Sequence, residues 1–560
     1  MLAPMPTLVM LGAGAVGRGF IAPLFATAAW DIVLVDLSQP LIAELQARGG
    51  YRLRLVEAKG EQIQEITRVR AIDARDTNAV AQALATCDMA ATAVGVAALP
   101  HLAAPLAAAL RQRHAANGGA LQVLIAENGI DAAATLRRAT LAALDGLIAD
   151  PAERTAAAAL LACIRTTIGR MVPVPGPTAD LSAEPFAQLP VEAAAFRAPL
   201  PAIAGLQPET DFALAEALKL QVHNLTHAVV AYHGAERGHA TIATAVADPM
   251  VRAEYESCIA EISAALMIDF GGVAGVRARA LADDLLRRYA NPLLADPLTR
   301  VARDPWRKLG RDERLVGAAR RCVAAGIKPR AIARAIAAAL RHRPAADEPG
   351  AERWSTAQAA GPLALLAACA GNDLPPELLR LVTREAATAD IRSAAAQRLA
   401  AAGVVLRSAE AAGIEVADFG LERFAELGLA ILVYVNTERC CAKELAMLPG
   451  QICPEHRHPT VDGQPGKEET FRVRSGSIDL FLPGKGDRDA ALQKLPADKR
   501  DAVTVYRCVH LEPGEQYTLK PNTPHWFVAG PQGAVVSEFS TRSRDEADIF
   551  TDPTIVRVPE

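Results

Sequence analysis

At 560 residues the chain is too long for one ordinary domain and fits about three. A net charge of −4, with no basic stripe and no acidic tail, argues against a nucleic-acid partner and against disorder. No apolar run of about 18 residues offers a membrane span, and nine scattered cysteines without a CxxC pair read as reduced thiols in a cytoplasmic protein.

The N-terminus is apolar but has no basic leader, so it reads as a buried strand rather than a signal peptide. Thr7–Met10 is a short strand that enters Gly12-Ala-Gly14-Ala-Val-Gly17. Helical spacing follows through Phe20, Pro23 and Leu24, then a second strand, Ile32–Val35, ends at Asp36. Strand, glycine turn, helix and strand make a βαβ unit. Gly12 suits the tight turn, Gly14 close backbone approach to a pyrophosphate, and Gly17 close helix–strand packing. The helix N-terminus offers free N–H groups to the phosphates. Asp36 would accept hydrogen bonds from the adenosine ribose and repel a 2′-phosphate, which favours NAD over NADP. Further strands at Met89–Val94 and Leu121–Ala126 imply a parallel sheet.

From about Pro208 to Ala402 alanine-rich helical stretches dominate, broken by a polar loop at His342–Trp354. Within LKLQVHNLTHAVVAY, Lys219, Asn224 and His227 share one side of a helix. At 100° per residue, Asn224 lies about 140° and His227 about 80° from Lys219. A buried lysine beside a nicotinamide ring would have a lowered pKa and could take a proton from an alcohol as hydride leaves. Asn224 and His227 could bind the developing alkoxide. Spacing alone is also met by a helix with an ordinary solvated face.

From Phe419 short strands return at Leu429–Tyr434, Thr470–Arg474, Ile478–Leu482, Val503–Leu511 and Ala534–Phe539, an all-β signature of a barrel or jelly roll. His456 and His458, two apart, face one side of a strand. With Glu469 and His525 they form a three-imidazole, one-carboxylate set. Such a set suits Mn²⁺ most, with Fe²⁺ or Zn²⁺ as alternatives. Cys453 lies beside the set and reads first as a buried structural thiol, with a catalytic or oxidisable role as the alternative.

The runs GAGAVGRGF, AENGI (126–130), IGRMVPVP (168–175), K-x4-N-x2-H, AERGHATIATAV (235–246) and NPLLADPLTRVARDPWRKLGRDERL (291–315) resemble the polyol-specific long-chain dehydrogenases, nearest their mannitol-1-phosphate 5-dehydrogenase branch. The resemblance covers roughly 7–385. It implies NAD without metal, a Rossmann domain paired with a helical domain, Lys219 as acid/base, and Asn224 and His227 on substrate oxygens. It also places Glu127 and Asn128 where the cofactor loop meets the active site. His223 and Thr226 depart from the phosphate-specific pattern, which leaves a phosphorylated substrate open.

Gly450, His456, His458, Glu469 and Gly476 meet the cupin pattern, with a Pro/Gly-rich insert before Glu469, and Gly514, Pro521 and His525 supply its second half. The stretch 429–552 resembles the cupin-type D-lyxose isomerases through YVNTERCCAKELAMLPGQICPEHRHP, DGQPGKEETF, LEPGEQYTLKPNTPHWF and DIFTDPTI. That resemblance implies metal ligands at His456, His458, Glu469 and His525 and active-site lysines at Lys443 and Lys467. Glu538 is the candidate proton carrier and Asp548 a weaker one.

The expectation is a multidomain enzyme. It has an α/β Rossmann domain (1–195), an all-α substrate domain (196–385) and a C-terminal all-β cupin barrel (386–560). A metal-dependent aldose–ketose isomerase is fused to an NAD-dependent polyol/ketose dehydrogenase. The expected partners are small sugars and polyols, with no nucleic acid or membrane and a homodimer through the cupin. The alternatives are a dehydrogenase acting on a sugar phosphate, a cupin that only senses sugar, and a hydride shift in place of an enediol.

Overall fold

The computed structural model describes residues 5–129 and 131–557, so Ile130 of the AENGI run and the outer ends of the first and third expected domains lie outside the described residues. The N-terminal part contains β1 (Thr7–Leu11), β2 (Asp31–Asp36), the hairpin β3 (Gly50–Glu57) and β4 (Gly60–Thr67), β5 (Val69–Asp73), β6 (Met89–Thr92), β7 (Leu121–Ile125) and β8 (Leu161–Arg165). Six of these form a parallel sheet in the order β5-β2-β1-β6-β7-β8. Alternate residues of β1 serve opposite cores: Leu8 and Met10 one layer, Val9 and Leu11 the other. That double burial is why the strand reads as an unbroken apolar run. The strand order reverses between β1 and β6, the crevice where open α/β sheets bind ligands.

The β3–β4 hairpin, not foreseen from sequence, extends outside this sheet and pairs with β9 (Leu181–Ala183). β10 (Leu189–Glu192) and β11 (Leu206–Glu209) form a small parallel pair. β11 thus falls inside the stretch 196–385 expected to be all-α; from Phe212 to Ala412 every named element is helical.

A helix of 26 residues, Pro376–Ala401, runs unbroken across the expected boundary at 385/386. It contains no glycine, and its only proline sits in the first turn, where it costs no hydrogen bond. Leu378 and Val382 belong to the helical core, while Ala395 and Leu399 pack on Ala430, Leu432, Ala446 and Val535 of the C-terminal sheet.

That sheet has nine strands: β12 (Glu415–Ala417), β13 (Leu429–Asn436), β14 (Cys441–Met447), β15 (Ile452–Arg457), β16 (Glu469–Leu482), β17 (Arg507–Leu511), β18 (Gln516–Leu519), β19 (His525–Ser540) and β20 (Ile549–Phe550). All its pairings are antiparallel. Two strands expected at 470–474 and 478–482 are one, β16, whose register shifts at Val473/Ser475 and Gly476/Ile478. Bulges of this kind bend a strand and let the sheet curl. Gly476 has φ 72°, and a Cβ there would sit 1.9 Å from the Gly533 carbonyl oxygen. Among the described residues, no helix is long and apolar enough to cross a membrane.

Candidate functional site

The glycine loop follows β1 at the sheet's switch point. A Cβ on Gly17 would lie 2.0 Å from the Gly12 carbonyl oxygen, whereas one on Gly14 would meet no atom within 4 Å. Gly17 is therefore fixed by internal packing, and Gly14 leaves backbone open to a ligand. Asp36, at the end of β2, accepts from Ala13 N and from Ser38 N, each at 2.9 Å. It ties the loop down at the position expected for the ribose. Glu127, just past β7, accepts from Val94 N and Gly95 N at 2.9 Å each, joining the loops that follow β6 and β7. Burial raises its pKa.

Glu127 and Asn128 line one cavity of about 550 Å³ with Lys219 and Asn224. The expected uniform α-helix is not what carries these last two. Lys219–Asn224 is a π-helical turn, followed by α-helix Leu225–Glu236. In a π turn each residue advances by less than 100°, so Asn224 comes round toward the face of Lys219. His227 is not part of the cavity wall. Its ring stacks on Tyr289 at 4.8 Å, and its Nε2 lies 3.5 Å from Asp296 Oδ2. Of the three residues expected to face substrate, the structure brings Lys219 and Asn224 to the cavity wall and packs His227 on Tyr289. Burial, then the positive charges of Arg314 and Arg288, push the Lys219 pKa well below the ordinary lysine value. Burial lowers that of His227 to about 4.

The second cluster lies inside the curled sheet. His456 on β15 is paired in register with His525, the first residue of β19. Glu469 opens β16, and His458 follows the end of β15. Ligand atoms of His456, His458 and His525 all lie within 4.8 Å of one another. Glu469 Oε1 is 2.9 Å from His458 Nε2 and 3.1 Å from His525 Nε2. The Nδ1 atoms of His456 and His525 face the carbonyls of Pro454 and Thr523 at 2.9 and 3.0 Å, which leaves each Nε2 for a ligand. His525 Nε2 is buried without a hydrogen bond. A buried, orphaned nitrogen among two further imidazoles and a carboxylate fits a divalent transition metal. The insert before Glu469 folds back beneath the site, and a Cβ on Gly466 would sit 1.9 Å from the His458 carbonyl oxygen.

Around this set stands a charged shell. Lys467 Nζ donates to Glu538 Oε1 at 2.9 Å and lies 2.8 Å from Glu469 Oε2. Lys443, opposite Glu538 in the β14–β19 register, donates to Ser543 Oγ at 2.9 Å and Asp545 Oδ2 at 2.7 Å. Burial opposes the charge on Lys467, but Glu469 and Glu538 raise its pKa well above the usual value. Cys453 is buried beside the cluster, its Sγ 4.0 Å from His456 Nδ1, and burial pushes its thiol pKa up. Asp545, Ser543 and Arg557 were missed in the sequence. They come from the segment after β19, where the acid-rich run RDEAD marks Asp545 alone.

Comparison with known proteins matches three families along the chain. The mannitol dehydrogenase Rossmann domain family matches residues 6–205, the mannitol dehydrogenase C-terminal domain family 214–388, and the D-lyxose isomerase family 397–560. A D-lyxose/D-mannose isomerase of Thermosediminibacter oceani is 51% identical over 171 residues, 30% of this chain and 94% of that protein. A mannitol-1-phosphate 5-dehydrogenase of Brevibacillus brevis is 35% identical over 334 residues, 59% of this chain and 85% of that protein. In fold, the Pseudomonas fluorescens mannitol 2-dehydrogenase superposes with a TM-score of 0.54 at 19% identity, covering 69% of this chain and 92% of that one.

Proposed function

Residues 6–388 belong to the mannitol dehydrogenase family and residues 397–560 to the D-lyxose isomerase family, and from that premise we propose a bifunctional enzyme that isomerises an aldose to a ketose and interconverts the ketose with a polyol. The isomerase pair is D-lyxose/D-xylulose, with D-mannose/D-fructose as the six-carbon counterpart. The division into a Rossmann domain, a helical substrate domain and a cupin barrel is part of this reading. The observation that carries it is one chain with two separate polar sites: Lys219 and Asn224 facing Glu127 and Asn128, and Glu469 set between His458 and His525.

In the dehydrogenase, NAD supplies or accepts hydride when bound, and Gly12, Gly14, Gly17 and Asp36 would hold it. Lys219, whose charge burial and Arg314 disfavour, takes the alcohol proton as the neutral amine, or in its ammonium form gives one to a ketone oxygen. Asn224 donates to that same oxygen. His227, its pKa lowered by burial, stacks on Tyr289 and lies outside the cavity wall.

In the isomerase, His456, His458, Glu469 and His525 would hold the metal, with Mn²⁺ favoured over Fe²⁺ and Zn²⁺ by imidazole and carboxylate ligands without thiolate. A divalent ion held by these residues would supply Lewis-acid stabilisation of negative charge developing on the sugar. Glu538 carries the proton between C1 and C2, and Lys443 and Lys467 offset charge and bind hydroxyls. Nine free thiols support a reducing, cytoplasmic setting. A homodimer through the cupin would cover Tyr434 and Phe539, both exposed.

The test is the whole protein with D-lyxose, Mn²⁺ and NADH. NADH consumption that is abolished by chelation or by His456→Ala, and restored by adding D-xylulose, supports the reading. Xylulose formation without NADH loss sinks the coupling. A second reading, a phosphorylated dehydrogenase substrate, is favoured by the names of relatives such as the Brevibacillus brevis protein.

A further inference from the structure

The wall of the dehydrogenase cavity bears on that second reading. Five carboxylates and four basic side chains line it. A phosphate monoester is close to a dianion at neutral pH and is bound by unpaired cations or by clustered N–H donors. None of the three arginines in this wall is unpaired. Arg320 Nη1 meets Asp312 Oδ1 at 2.5 Å. Arg321 pairs with Asp269 and donates from Nε to Gln221 Oε1 at 2.5 Å. Arg314 Nε lies 3.2 Å from Glu313 Oε2. Glu313 also holds Arg307 at 3.2 Å, so it is fixed from two sides. Of the two remaining carboxylates, Glu127 is tied to backbone N–H groups and Glu216 pairs with Arg165 at 2.8 Å. The fourth base, Lys219, is the group whose charge burial disfavours.

We propose that Asp269, Asp312 and Glu313 are specificity determinants: they occupy the arginines that a phosphate ester would need, and they make this cavity select uncharged ketoses and polyols. The proposal rests on the dehydrogenase reading above and deepens it. A dianion entering the cavity would have to displace a carboxylate from at least one arginine and lie beside it. Discrimination by repulsion needs no extra contact to the favoured substrate. An uncharged ketose is what an aldose–ketose isomerase acting on free sugars releases, so the reaction class that supplies this site resides in the same chain.

The experiment compares kcat/KM of the full-length protein for NADH-dependent reduction of D-xylulose, D-fructose and D-fructose 6-phosphate. The same comparison is then made for Asp312→Asn, whose carboxylate is largely exposed (69%), so that the fold tolerates the change. The wild type is expected to favour a free ketose by at least about 100-fold, and Asp312→Asn to raise the phosphate-to-free ratio by about tenfold. Asp269→Asn, which releases Arg321, should move the ratio in the same direction. Preference of the wild type for D-fructose 6-phosphate overturns the inference while leaving the dehydrogenase reading intact. A ratio unchanged in both variants removes the acidic wall as the determinant. No NADH oxidation with any of the three substrates sinks the dehydrogenase reading itself.

Discussion

Asp548 Oδ1 lies 2.5 Å from His458 Nδ1, on the opposite side of the ring from Glu469. The imidazole is thus held between two carboxylates, one in the ligand set and one behind it. Burial alone would lower the His458 pKa, but Glu469 and Asp548 raise it to about 9. A carboxylate behind a metal-binding histidine fixes its tautomer and raises its basicity.

Asp548 is therefore expected to act on metal affinity through His458 rather than on the sugar. Asp548→Asn should weaken Mn²⁺ binding by about 10- to 100-fold. Isothermal titration of the apo protein measures this directly. At saturating Mn²⁺ most of the isomerase turnover should return; a defect that persists there would make Asp548 a proton carrier instead.

Glu538 faces the opposite prediction. It contacts Lys467 at 2.9 Å but none of the three histidines. Glu538→Gln keeps the shape and removes the base. Isomerisation should fall by about 10²–10⁴-fold while Mn²⁺ affinity changes little. Exchange of the C2 proton with solvent deuterium should stop as well. Persistent exchange would assign the proton to another group.

Much of this arrangement was legible in the sequence. The His456/His458 pair and the glycine loop are local patterns whose spacing meets the sheet period or a turn requirement, while Glu469 and His525 are placed by the resemblance to the cupin-type isomerases. What was not legible depends on folding across distance or on a local departure from the ideal helix. His227, expected beside Lys219, stacks on Tyr289, a contact between distant segments that helical spacing does not carry. The β3–β4 hairpin was hidden because its outer strand is largely exposed and mixes Ile with Gln and Glu. Asp545 reaches Lys443 across 102 positions, a separation that no local pattern spans.

The lowered pKa of Lys219 gives the dehydrogenase a signed pH dependence. Burial, Arg314 and Arg288 favour the neutral amine, so the base form is present below the ordinary lysine value of 10.5. Polyol oxidation needs that base. Its kcat/KM should rise with pH through the lowered pKa and then level off. Ketose reduction needs the ammonium form and should fall as pH rises through the same value. Lys219→Met should cost about 10²–10⁴-fold and flatten this limb in both directions. A wild-type limb that stays at the unperturbed lysine value would contradict the buried, cation-flanked setting.

The helix Pro376–Ala401 sets the last expectation, which concerns stability. Leu378 is fully buried in the dehydrogenase core and Leu399 is fully buried against the C-terminal sheet, on the same helix. Removing either side chain leaves a cavity that costs about 2–5 kcal/mol. Because a continuous helix joins the two cores without a flexible linker, the cost should not stay local. Leu399→Ala should lower the unfolding temperature of the isomerase and also increase hydrogen exchange in the N-terminal half of the helix. Leu378→Ala should do the reverse across the same element. Calorimetry with hydrogen exchange distinguishes this from two independently melting units. In that case each substitution would move one transition only and leave exchange in the far half of the helix unchanged.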